Sequence, residues 1–193
     1  MSNATLSMLD QAELLQLSLE ADRNGDSATS LAYLKEAGSR PDASAEALLM
    51  LGASYASLQM YDRAATAMEA AVLANPQLAI ARFQLGLLYL SSGDGPRAND
   101  ILVPLDDLGE NMALYHFGRG LRHLLADEFA DALHYLQRGK EMNQDNPALN
   151  TDMQRIIDEI NKLPEEQRQP SAGAGTDGSQ HVMLSAYTGR GTH

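Results

Sequence analysis

Five histidines and a few adjacent carboxylates are the residues of this chain that could do chemistry, and their spacing limits what they can do. His116 and His123 stand seven apart in a helix-period stretch, with Asp127 one turn further on. A zinc site on a helix needs two histidines one turn apart and a third fixed ligand, and neither condition is met. Asp106-Asp107 and Asp127-Glu128 fall in expected turns, where a solvated pair is the ordinary reading, and general acid–base work requires an enclosed cleft. Residues 173–178, GAGTDG, spell G-x-G-x-x-G, but a dinucleotide fingerprint lies between a strand and a helix, and neither is expected there. There is no G-x-S-x-G elbow and no G-x-x-x-x-G-K-[ST] phosphate loop. The chain has no cysteine, which removes thiolate catalysis and Cys-ligated zinc. The expectation is a non-enzymatic protein with no cofactor and no metal.

Bulk properties narrow the partners. A formal net charge of −12 leaves no basic stripe to displace counterions from phosphates, so nucleic acid is not expected as a ligand. The same charge opposes an anionic membrane surface. No run approaches 18 apolar residues, and the opening MSNATLSMLDQ lacks a basic segment ahead of an apolar one. Neither membrane insertion nor a cleaved signal is expected, and the expected location is cytoplasmic.

The elements that would carry any site come from internal repetition. Leu48, Leu51, Gly52, Tyr55, Ala64, Met68, Ala71 and Pro76 form one series. Thirty-four residues earlier stand Leu14, Leu17, Ser18, Ala21, Ser30, Leu34 and Ala37, with Pro41 one place early. Thirty-four later stand Arg82, Leu85, Gly86, Tyr89, Ala98, Leu102 and Leu105. A fourth copy through Leu114, Phe117, Gly118, Leu121, Ala132, Leu136 and Gly139 fits if the third unit is two residues short and the fourth has two extra in its turn. The units are then 11–44, 45–78, 79–110 and 111–146. Within each, apolar residues recur at three- and four-residue steps on either side of a turn, which predicts two helices. Asn24-Gly25-Asp26 and Ser92-Gly93-Asp94-Gly95 supply the left-handed positions of two turns. Asn75-Pro76 and Asn146-Pro147 look like an N-cap followed by proline at the first helical position. No segment alternates with period two, so the chain is expected to be all-α.

Small residues at the crossings, with Leu, Tyr and Met beside them, let paired backbones approach. The pattern resembles the tetratricopeptide repeat (TPR), whose W-x2-L-G-x2-Y…A-x3-F…P outline matches Leu48, Leu51-Gly52, Tyr55, Ala64, Met68 and Pro76. The resemblance covers about 135 residues and implies an α-solenoid of about four units. The first unit departs from it with Ser18 and Ser30, and the third places Arg82 at a usually apolar position. In TPR arrays the first helix of each unit lines a concave groove. The resemblance therefore implies a groove of Leu15, Gln16 and Leu19; Glu46, Leu49, Met50 and Ala53; and Ile80, Phe83, Gln84, Leu87 and Leu90. The fourth unit would add Tyr115, His116, Arg119, Arg122 and His123. Such a groove is apolar along three units and basic at its end. Some TPR domains grip acidic C-termini with a Lys–Asn–Arg clamp, but Leu15, Leu19 and Met50 stand here instead.

Stacked units need end covers. Leu149, Met153, Ile156, Ile157, Ile160 and Leu163 form a stripe on 147–163, expected as a capping helix that completes a TPR domain over 1–163. At the other end Ser7 with Asp10 resembles a capping box. The segment 164–193 is rich in Gly, Ser, Gln and Pro and is expected to be a disordered tail, with an apolar island at Val182, Met183, Leu184 and Tyr187. The expected function is a TPR adaptor or scaffold that binds a partner helix or peptide. The alternatives are a chaperone for a hydrophobic client, which small acidic TPR proteins resemble, and a structural homodimer.

Overall fold

The computed structural model describes residues 6–168 and 177–188. It is all-α, with no strand among the described residues. Four helix pairs follow one another: α1 (Gln11–Arg23) and α2 (Ser27–Gly38), α3 (Ala45–Ser57) and α4 (Tyr61–Ala74), α5 (Ala79–Ser91) and α6 (Gly95–Leu102), α7 (Ala113–Leu125) and α8 (Phe129–Met142). A 3-10 segment, Val103–Leu108, extends α6. Then come α9 (Pro147–Lys162), the single turn α10 (Glu165–Arg168) and α11 (Asp177–Thr188). First helices begin thirty-four residues apart at residues 11, 45, 79 and 113, and α9 begins thirty-four after the last of them.

This regularity corrects the fourth unit. No residues are lost or gained: the structure starts it at Ala113 and puts Gly120, not Gly118, at the place of Gly52 and Gly86. The crossing contact decides the register. A Cβ on Gly52 would lie 2.5 Å from Met68 Cγ, one on Gly86 2.5 Å from Leu102 Cδ2, and one on Gly120 2.7 Å from Leu136 Cγ. Each glycine sits sixteen residues before the side chain that fills its notch. Gly118 instead faces Leu105 of the 3-10 segment, where a Cβ on it would lie 3.0 Å from Leu105 Cδ1. The sequence misleads here because apolar residues stand two places early in α7, while the true register holds His116, Arg119 and His123.

Turns repeat with the same period. Gly25, Gln59, Gly93 and Asp127 all take positive φ, between 56° and 80°. Asp26 and Asp94 then cap α2 and α6 by accepting from the backbone N–H groups of Thr29 and Arg97. Two sequence-based caps shift. The capping box of α1 is Asp10 with Glu13, each side chain meeting the other's backbone N–H at 2.8 Å. Asn75 accepts from Gln77 N–H in a local turn, and α5 begins at Ala79. Asn146-Pro147 opens α9 as expected, with Asn146 Oδ1 accepting from Leu149 N–H at 3.1 Å.

The chain divides into two compact units, Met1–Ala81 and Arg82–His193. In the first, α1 packs on α2, α2 on α3 and α3 on α4. Its interior includes Leu14, Tyr33, Ala37 and Ala47 in one cluster and Leu34, Leu51 and Ala67 in another. Arg40 holds the entering chain by donating to the carbonyls of Leu9 and Leu6. In the second unit α7 packs on the 3-10 segment and on α8. Two asparagines join α8 to α9: Asn143 Nδ2 donates to Asn150 Oδ1 and Asn150 Nδ2 donates to the Asn143 carbonyl, both at 2.8 Å.

The tail differs from its sequence reading. Residues 169–176 and 189–193 lie outside the described residues, but 177–188 form α11. Val182, Met183 and Ala186 are buried and α11 packs on α9. An apolar island too short to fold alone becomes helical where another helix offers it a face.

Candidate functional site

The residues proposed for the groove separate by burial. Phe83 is 0% exposed with its ring centroid 5.9 Å from that of Phe117, so it is core and cannot line a free surface. Leu49, Leu90, Tyr115 and His116 are also buried. The physical reason is that a first helix in such an array is covered on several sides. In α5, Phe83, Leu85, Gly86, Leu88, Tyr89 and Leu90 all lie inside. A narrow strip of Ile80, Gln84, Leu87 and Ser91 remains half-buried at helical spacing, with Ala79 and Arg82 beside its start. In the first unit Leu15 and Met50 are half-buried against the core clusters, and Leu19 is exposed. Arg119, Arg122 and His123 are half-buried.

These last three converge with Tyr115, which the sequence placed beside them, and with Tyr135 and Asn99, which it did not single out. Arg119 lies between two aromatic rings, its guanidinium carbon 5.4 Å from the centroids of both Tyr115 and Tyr135, and its Nη1 donates to the Tyr115 hydroxyl at 2.7 Å. The bond to Tyr115 raises the Arg119 pKa above its ordinary value, Tyr135 and Asp106 add to the rise, and burial opposes it. Arg119 is therefore a permanent cation, pre-oriented by the rings. Arg122 donates to Asp106 Oδ2 at 2.6 Å and to Asn99 Oδ1 at 3.1 Å. Asp106 also faces Arg119 at 3.8 Å, so one carboxylate stands between two guanidiniums.

The supporting elements explain the geometry. Pro104 has no N–H to continue α6, and the chain tightens into the 3-10 segment that carries Asp106 to α7. Gly118 and Gly120 let α7 approach Leu105 on one side and Leu136 on the other, which leaves the Arg119 edge accessible. On that edge the Tyr135 ring stacks on His123 at 5.1 Å and 8°, and is tilted against His116 at 6.0 Å. His123 Nδ1 meets Glu128 Oε2 at 2.6 Å. His116 Nε2 lies 2.8 Å from the Glu110 carbonyl, which can only accept, so that nitrogen carries the proton.

Of the groups that could hold a metal, His123, Glu128 and Asp131 place one ligand atom each within 4.8 Å of one another, with both carboxylates exposed. Beside Arg122, a cavity of about 340 Å³ is walled by Leu90, Pro96, Asn99, Leu125 and Gln180. The arrangement suits recognition: a fixed cation, aromatic faces and an adjoining apolar recess. One signal in the sequence could have found it. Under a strict thirty-four-residue register, Arg119 and His123 occupy the places of Leu51 and Tyr55.

The chain matches no protein-family model and no curated protein. It is similar to solved structures of MamA. Residues 41 to the end of MamA from Desulfovibrio magneticus RS-1 share 18% identity over 94% of both chains, with a TM-score of 0.59. The fold is TPR-like. MamA AMB-1 in a P212121 crystal shares 14% identity over 92% of this chain and 88% of that one, with a TM-score of 0.54. The ArsTM double mutant of MamA RS-1 shares 16% over 96% and 99%, with a TM-score of 0.57. Among the described residues no helix is long and apolar enough to cross a membrane.

Proposed function

We propose that this chain is a non-enzymatic, cytoplasmic protein-binding module that holds a partner helix or peptide against the exposed edge of α7. The observation that carries the reading is the substitution of chemistry at fixed geometry in the fourth repeat. Arg119 and His123 stand where the second repeat has Leu51 and Tyr55, although the glycine crossing beside them is kept. Around Asp106 two guanidiniums face one carboxylate, a positive excess that stops at His123, where Glu128 and Asp131 stand. An acidic group beside an apolar side chain would match this excess and the recess by Arg122. The TPR-like fold supports a binding role, since such arrays present helix faces to other proteins.

The test is affinity capture from a native extract with the wild-type chain and with Arg119→Leu/His123→Tyr, which copies the second repeat. Partners held by this edge should be retained by the wild type and lost by the variant, with circular dichroism unchanged. Identical partner sets from the two proteins would place the binding surface elsewhere.

A further inference from the structure

The C-terminal helix α11 touches the second unit at three places. It packs along α9. Its first turn sits on the α7–α8 turn: a Cβ on Gly178 would be 2.9 Å from Phe129 Cζ and 3.1 Å from Asp127 Oδ1. Gln180 lies beside the α5–α6 turn, its Nε2 3.5 Å from where a Cβ on Gly93 would stand, and forms a wall of the cavity next to Arg122. Among its described side chains, Val182, Met183 and Ala186 are buried.

The same helix has little stability of its own. It is 12 residues long and includes Gly178, Ser179, Ser185 and Thr188, all poor or middling helix formers. An isolated helix of that length and composition is marginal in water, so α11 exists as a helix only while docked. Its docking is intramolecular, since α11 and α9 belong to one chain, so a free helix must compete with it.

We infer that α11 is a detachable occupant of a helix-binding surface formed by α9 and the two neighbouring turns, and that a partner helix of the same pattern takes its place. The pattern is specific. Two adjacent apolar residues and a small one follow at the spacing of 182, 183 and 186, preceded by a glycine where the helix meets Phe129. Release of α11 removes the Gln180 wall of the cavity beside Arg122, which couples this surface to that recess. The inference goes beyond the α7 reading and stands without it, because its surface does not use Arg119 or His123.

The experiment uses the full chain and a fluorescent peptide of residues 177–188. Three proteins are compared: wild type, Val182→Asp/Met183→Asp, and Gly178→Leu, whose side chain would collide with Phe129. Peptide affinity is read by anisotropy and helix protection by hydrogen exchange. Both variants should lose protection over 177–188, keep it over α7 and α8, and bind the peptide roughly tenfold more tightly than wild type, since the tethered competitor is gone. Unchanged protection of 177–188, or peptide binding no tighter than wild type in both variants, would overturn the inference. Loss of α7 and α8 protection in both would overturn it too, because α11 would then be part of the core.

Discussion

The second and fourth repeats share one backbone design and differ in what surrounds it. In α3–α4, Gly52 admits Met68, and Leu51 and Tyr55 flank the crossing. In α7–α8, Gly120 admits Leu136 at the same spacing, but Arg119 and His123 flank it and Tyr135 stands where Ala67 does. The comparison separates two kinds of position. Those at the crossing are fixed by backbone approach and take only small residues, glycine in three repeats and Ser18 in the first. Those beside it are half-buried and can trade packing for charge, provided the charge finds partners. In the fourth repeat it does, through Tyr115, Asp106 and Glu128.

The largest expected effect tests the division between core and surface. Phe117 is fully buried: its ring lies against Phe83, and a Cβ on Gly139 would be 2.5 Å from its Cδ1. Phe117→Ala and Phe83→Ala should each cost about 3–5 kcal/mol in denaturant unfolding. Leu87→Ala, on the half-buried strip of α5, should cost well under half of that. A small loss at Phe83 would return that residue to the surface.

Next come the crossings. Gly120→Leu places side-chain atoms against Leu136, whose backbone N is 3.1 Å from the Cβ site, and Gly52→Leu meets Met68 and the Ala64 carbonyl at 3.2 Å. Each should cost about 1–3 kcal/mol or more, because backbone cannot move aside as a side chain can. Gly118→Leu should strain the 3-10 segment instead. If Gly118 and not Gly120 proved the critical crossing residue for α8, the strict register would fail.

Much of the fold was legible because close approach leaves a trace in residue type. Small residues every thirty-four positions predicted four helix pairs, and Leu149 to Ile160 predicted α9. The site was less legible for the same reason. A repeat is recognised by its apolar flanks, so polar flanks at 116, 119 and 123 made the fourth unit look shifted by two residues. Asp106, Asn99 and Tyr135 carry no local pattern that marks them: they meet Arg119 and Arg122 only after Pro104 redirects the chain. For α11 the composition favoured disorder, and its contacts with α9 and the two neighbouring turns override that preference.

A smaller effect should restate the comparison without binding. Arg119→Leu/His123→Tyr removes charge–aromatic contacts but restores apolar packing, so stability should stay within about 1 kcal/mol of wild type. A larger loss would mean that the polar edge is structural.

The turns divide the repeats another way, and this gives the smallest expected effects. The first and third repeats turn through Gly25-Asp26 and Gly93-Asp94, with a relaxed left-handed residue and a side-chain cap. The second and fourth turn through Gln59-Met60 and Asp127-Glu128, with a strained left-handed residue and no side-chain cap hydrogen bond. Gln59→Gly should therefore raise stability by about 0.5–1 kcal/mol, the left-handed strain removed less the added chain entropy. Acid should act on the other pair. Hydrogen bonds from Thr29 hold the Asp26 pKa below the ordinary 3.8, and those from Arg97 do the same for Asp94. A depressed native pKa means that the unfolded chain binds protons first, so this stabilisation is present above 3.8 and is lost as pH falls through the lowered native values. Thermal melts from about pH 6 to about pH 2 should show Asp94→Ala with a flatter acid limb than wild type. Hydrogen exchange should show acid loosening of the first turns of α2 and α6 before those of α4 and α8. If α4 loosened first, carboxylates other than the two caps would control the acid limb.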